Sequence, residues 1–88
     1  MSDRDSDEDR PGPYLRELGR TITAERERQG MTQENLAEAC GAHLNTVSLI
    51  ERGNNTTIGM LWWISRALDI DPSDLLDLAE RGPDDDTE

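Results

Sequence analysis

The stretch TQENLAEACGAHLNTVSLIERG, running from Thr32 to Gly53, decides the fold. Thr32 stands where a helix N-cap is wanted, just ahead of Gln33-Glu34-Asn35. Leu36, Ala37 and Cys40 then form a short apolar face, and Gly41 stops it. The pattern predicts a helix of about eight residues. A second helix follows over about 43–51, with Val47 and Ile50 three apart and Gly53 ending the run. Helices this short are not stable alone, so neighbouring elements must pack both of them.

Working outward, Tyr14, Leu15, Leu18 and Ile22 recur at three- and four-residue spacing, which predicts a helix over about 14–29 capped by Gly30. Pro11-Gly12-Pro13 reads as a stop before it. Downstream, Asn54-Asn55-Thr56-Thr57 is a polar loop, with Thr57 a candidate N-cap. The next helix covers about 58–68, with Leu61, Ile64 and Leu68 on one face and Ala67 beside them. Asp71 or Pro72 opens a last helix whose apolar side is Leu75, Leu76 and Leu78, and Gly82-Pro83 ends it. No internal repeat occurs, and no alternating pattern is long enough for a sheet. The expectation is an all-α, five-helix domain over residues 14–81, between acidic disordered tails at 1–13 and 82–88.

Composition sets bounds on this reading. Leu, Ile and Val total 16 of 88 residues and there is no Phe, a share at which a highly charged chain tends toward disorder. All 16 fall between Leu15 and Leu78, where they suffice for a small helical domain. A large core and a multidomain enzyme are excluded. The net charge of −11 has the wrong sign for a nucleic-acid partner if it is spread evenly. It is not: residues 14–68 carry six Arg and six acids and are neutral, residues 1–13 hold −3, and residues 69–88 hold −8. A single cysteine cannot form an internal disulfide and fits a reducing compartment. No apolar run nears the ~18 residues of a membrane span, and the acidic N-terminus lacks the apolar core of a secretory signal. A cytoplasmic protein is expected. Arg without Lys fits a GC-rich or a halophilic source equally well.

Two short helices joined by a glycine-containing turn form the helix-turn-helix pattern. Thr-Gln opens the first of them, Leu-Ala sits in its middle, Gly fills the turn, and Ile-Glu-Arg-Gly closes the second. In this order and spacing the segment resembles the Cro/CI-repressor type, or Xre family, and the resemblance extends from about Tyr14 through Leu76. It implies a lambda-repressor-like DNA-binding domain whose third helix lies in the major groove. The base-facing positions would be His43, Leu44, Asn45 and Leu49. Gln33 and the second helix's N-terminal amides would meet a phosphate, as would Arg28, Arg52, Asn54, Asn55 and Thr57. Arg26 and Glu51 would form a structural pair tying the first helix to the third. Asn45 suits a bidentate contact to adenine, whereas Leu44 and Leu49 can only pack, best on thymine methyls. Members of the family often carry polar residues at those two positions. With Arg52 and Arg28 as the available cations, modest salt dependence is expected.

The remaining residues admit plainer roles. His43 is the only histidine, and it suits a base or phosphate contact as well as a solvated helix start. Nothing clusters around it to hold a metal. Cys40 reads as a small core residue. Trp62 and Trp63 are adjacent, about 100° apart on a helix, so the apolar face can bury one but hardly both. Either one is core and the other rim, or at least one joins Ile70, Leu75 or Leu78 in a homodimer interface. A two-fold dimer would match a palindromic operator on double-stranded DNA. The acidic tails are either solvated or repel phosphates and so lower non-specific binding. No triad, metal site or glycine-rich phosphate loop supports an enzyme, and no cofactor is required. The sequence therefore points to a sequence-specific DNA-binding transcriptional regulator, a dimeric repressor or autoregulator. The alternative is a protein-interaction module on the same fold, an antirepressor or complex subunit, which would use the exposed leucines as a partner face.

Overall fold

The structure, a computed structural model, describes residues 11–82. The expected tails fall almost entirely outside these residues. Five helices follow one another: α1 (Pro11–Arg28), α2 (Gln33–Cys40), α3 (Leu44–Glu51), α4 (Ile58–Leu68) and α5 (Pro72–Arg81). There is no strand among the described residues.

Local chemistry sets most helix ends. Thr32 caps α2: its Oγ1 accepts from the Asn35 amide at 3.0 Å, and its own N–H donates to Asn35 Oδ1 at 2.9 Å. Asn35 thereby supplies the reciprocal bond of a capping box. Gly41 closes α2 in the left-handed region at φ 68°, which only glycine adopts without steric cost. Thr57 caps α4, accepting from the Met60 amide at 3.0 Å. The N-caps His43 of α3 and Asp71 of α5 make no side-chain capping bond. One boundary departs from the sequence reading: α1 starts at Pro11, so Pro11-Gly12-Pro13 forms its first turn instead of a stop. The first amides of a helix have no intrahelical acceptor, so proline loses nothing there.

The core gathers Leu18 and Ile22 of α1, Leu36 and Cys40 of α2, Val47 and Ile50 of α3, Leu61, Ile64 and Leu68 of α4, and Leu75 and Ala79 of α5. α1 packs against α5 and α3, while α2 packs against α3 and α4. Gly19 brings α1 and α3 into close contact, since a Cβ there would collide with the Glu51 carbonyl. Two expectations are corrected here. Leu75 is fully buried and cannot lie in a dimer interface, because the four-residue step to Ala79 turns both inward. Neither tryptophan is a core residue: Trp62 is 44% and Trp63 51% exposed, since Leu61, Ile64, Ser65 and Leu68 already fill the inward side of α4.

Candidate nucleic-acid interface

A buried polar clamp holds α3 in place. Arg26 Nε donates to Glu51 Oε2 at 2.7 Å, and its Nη2 donates to Glu51 Oε1 at 3.1 Å. The third guanidinium nitrogen donates to the Met31 carbonyl at 2.7 Å. Thr23 Oγ1 and Gln33 Nε2 each donate to Glu51 Oε1 at 2.9 Å. One carboxylate thus joins α1, the first residue of α2 and the last of α3. Burial pushes the Glu51 pKa up, but the hydrogen bonds from Arg26, Gln33 and Thr23 outweigh it and hold the carboxyl below its usual range. The Arg26 guanidinium is held more firmly protonated by its hydrogen bond to Glu51. Paired and satisfied, the two charges orient α3 relative to α2.

With Val47 and Ile50 turned into the core, the 100° step per residue leaves Leu44, Ser48, Arg52, Asn45 and Leu49 fanned across the outer face of α3. Leu44 is 43% and Leu49 36% exposed. Asn45 and Arg52 are exposed, and His43 is an exposed N-cap at the start of the helix. Arg52 is the C-cap of α3, still in right-handed conformation, so it belongs to this face and not to the loop beyond.

The loop after α3 is shaped by the residues expected to meet phosphates. Asn54 Nδ2 donates to the Leu49 carbonyl at 2.9 Å, closing the helix, and Asn55 Oδ1 accepts from the Thr56 amide at 2.8 Å. Thr57 accepts at the α4 cap. These bonds leave the Asn55 amide and the Thr57 hydroxyl proton to donate outward, beside the first amides of α4. Gln33 likewise commits one amide hydrogen to Glu51, and its backbone N–H sits at the opening of α2.

Arg28 does not join this group. It lies about 200° around α1 from Arg26. It pairs with Glu25 and borders a pocket with Gln29, Leu68, Asp69 and Ile70, at the α4–α5 turn. Two further residues that the sequence reading did not single out lie beside this face. Ser48 lies on the outer face between Leu44 and Arg52. Arg16 is exposed, and its stem packs on Gly53, whose φ of 102° suits only glycine. Arg16 precedes Thr23 by seven residues, so both share one side of α1. That relation becomes readable only once Thr23 is known to face Glu51.

A short helix pinned across another, with its outer face free and two helix N-termini beside it, defines a helix-turn-helix DNA-binding regulator. Residues 22–75 match the helix-turn-helix family. Over 56 residues, 62% of this chain and 69% of the relative, the sequence is 41% identical to the control protein C.BamHI of Bacillus amyloliquefaciens. The fold is similar to the restriction-modification controller protein C.AhdI from Aeromonas hydrophila, with a TM-score of 0.68 and 32% identity over 69% of this chain and 94% of that one. It is also similar to the clp gene regulator ClgR from C. glutamicum, with a TM-score of 0.71 and 28% identity over 76% and 88% of the two chains. The chain belongs to the Xre, or Cro/CI, type of helix-turn-helix transcriptional regulators. Like them it is a DNA-binding regulator and not an enzyme. No helix among the described residues is long and apolar enough to cross a membrane, and no cluster of three metal-ligating side chains occurs among them.

Proposed function

We propose that this protein is a cytoplasmic, dimeric, sequence-specific regulator of the restriction–modification controller type that represses or autoregulates its own promoter by occupying a palindromic operator. The observation that carries this reading is the outer face of α3, held by the Arg26–Glu51–Gln33–Thr23 clamp with Asn45 exposed on it. The likeness to C.BamHI and C.AhdI supports the controller assignment. Asn45 contacts adenine, Ser48 and His43 supply further polar contacts, and Arg52, Arg16, Asn55, Thr57 and the α2 opening engage the backbone.

The dimer rests on the outer side of α4. Ile58 is 79% exposed and lies one turn before Trp62 on the same side of α4, with Trp63 further round the outer face. The two indoles meet edge to face at 5.0 Å, and the Arg66 guanidinium lies over Trp62 at 5.0 Å. Ile70 is partly exposed just past the end of α4, in a pocket with Ser65 and Arg66, whereas Leu78 is partly exposed in a groove against Thr21 and Ala24 of α1. An aromatic patch of this kind on a regulator with a two-fold target fits a self-complementary contact.

Fluorescence anisotropy against the DNA upstream of its own gene, with random duplex as competitor at moderate salt, tests the function. Preferential binding is expected, with Asn45→Ala costing about 1–3 kcal/mol at its base pair and relaxing the preference there. Equal binding to random DNA would overturn it. The same aromatic face favours a second reading, a protein-interaction module. That reading requires a tight heterologous partner and no change on DNA for Asn45→Ala.

A further inference from the structure

The outer face of α3 is chemically divided. Asn45, Ser48 and Arg52 form a polar strip, flanked by Leu44 on one side and Leu49 on the other. Neither leucine belongs to the buried core, and both keep exposed surface. Leu49 itself lines a shallow groove of about 290 Å³, together with Thr46, Ile50, Met60 and the loop residues 54–57.

We propose that Leu49 reads the C5-methyl group of a pyrimidine in the major groove. The operator is then specified by methyl groups as well as by hydrogen bonds. The inference rests on the DNA-reading function proposed above. Among the edges that unmodified base pairs present in the major groove, the thymine methyl is the one sizeable apolar group; cytosine offers only a C5–H in its place, and the other features are donors or acceptors that leucine cannot match. A leucine facing a base amino group or carbonyl would strip it of water and return nothing. Geometry strengthens the point. Leu49 follows Asn45 by four residues, so the two are neighbours on the helix surface. An Asn45 that binds adenine faces a base pair whose other base is thymine. The methyl of that thymine then lies within reach of a side chain one turn along from Asn45, which is Leu49. The same chemistry is offered by 5-methylcytosine, whose methyl occupies the equivalent place.

The preferred site is first selected from a random, unmodified duplex library, and anisotropy is then measured with each thymine replaced in turn by deoxyuridine. Removing one well-packed methyl should weaken binding about three- to fivefold at one or more positions in each half-site. Leu49→Ala should lose a similar factor on the natural site and lose its sensitivity to that replacement. Leu44→Ala, across the polar strip from Leu49, should leave that sensitivity in place, and both positions are exposed enough for the fold to survive. Placing 5-methylcytosine at the sensitive position should bind more tightly than plain cytosine there, by a similar factor. That arm separates the methyl from the rest of the base pair. A selected site indifferent to uracil at every thymine, or containing no thymine, would overturn the methyl reading and leave sequence-specific binding intact. Failure to select any site would overturn the DNA-reading function itself.

Discussion

Glu51 is the residue on which three helices converge, and its charge is the reason. A side chain this enclosed would ordinarily be pushed toward the neutral form, yet donors from Arg26, Gln33 and Thr23 keep it ionised. Its folded pKa lies below its unfolded one. The stability it contributes is therefore fully present above the unfolded value of 4.5 and is lost as pH falls through the folded value. Glu51→Gln keeps the shape but leaves Arg26 buried without its counter-charge, which should cost about 3 kcal/mol near neutral pH. Urea unfolding of both proteins across pH 7 to 3 checks this. The gap between them should be widest at pH 7 and should close below about pH 4.5, while the other carboxylates, common to both, cancel. A gap constant across that range, or no gap at all, would show that the ionisation of Glu51 does not carry its contribution.

At the scale of helices, the legible features were those fixed by neighbours in sequence. Thr32, Gly41 and Thr57 act on amides and carbonyls within four residues, so their roles could be read directly. Pro11 and Pro13 were misread because proline ends one helix and opens another with equal ease. On α5, Leu75, Leu76 and Leu78 were equivalent until α1 and α4 showed which side is inward. On α4 the two tryptophans were both candidates for one place that Leu61, Ile64 and Leu68 had already taken. The Arg26–Glu51 pair came from resemblance, since no spacing rule links residues in different helices. Gln33 and Thr23 in the same clamp, and Arg16 beside Gly53, were invisible for that reason. Gly19 belongs here too. Alanine there would gain helix propensity, but its Cβ would strike the backbone of α3 at Glu51. Gly19→Ala should therefore destabilise by about 1–3 kcal/mol, lowering the thermal midpoint by roughly 5–15 °C. Gly59→Ala, on the open side of α4, should raise stability by about 0.5–1 kcal/mol. Paired thermal melts at matched concentration distinguish the two, and a Gly19→Ala protein as stable as wild type would mean that α1 and α3 can separate without cost.

Across the whole molecule, charge sets how the protein meets DNA. Asp69, Asp71, Asp74, Asp77 and Glu80 lie on α5 and the turn before it, an element that packs mainly on α1 and α4. The face around α3 carries Arg52 and Arg16, with Arg28 turned away to Glu25. Few cations therefore release counterions from DNA, and the net charge of −11 opposes binding wherever base contacts do not compensate. A dimer placing two arginines per subunit against phosphates should show a slope of log K against log salt of about −4. Arg52→Ala should reduce its magnitude by about two and weaken all sequences alike if Arg52 meets only the backbone. If Arg52 instead reaches a base edge from its place on the α3 face, the slope should hold while preference at one base pair relaxes. Anisotropy titrations over a range of salt, on operator and on random duplex, separate these outcomes. A wild-type slope steeper than about −8 would require cations beyond Arg16 and Arg52 to lie against the DNA, and would overturn this docking face.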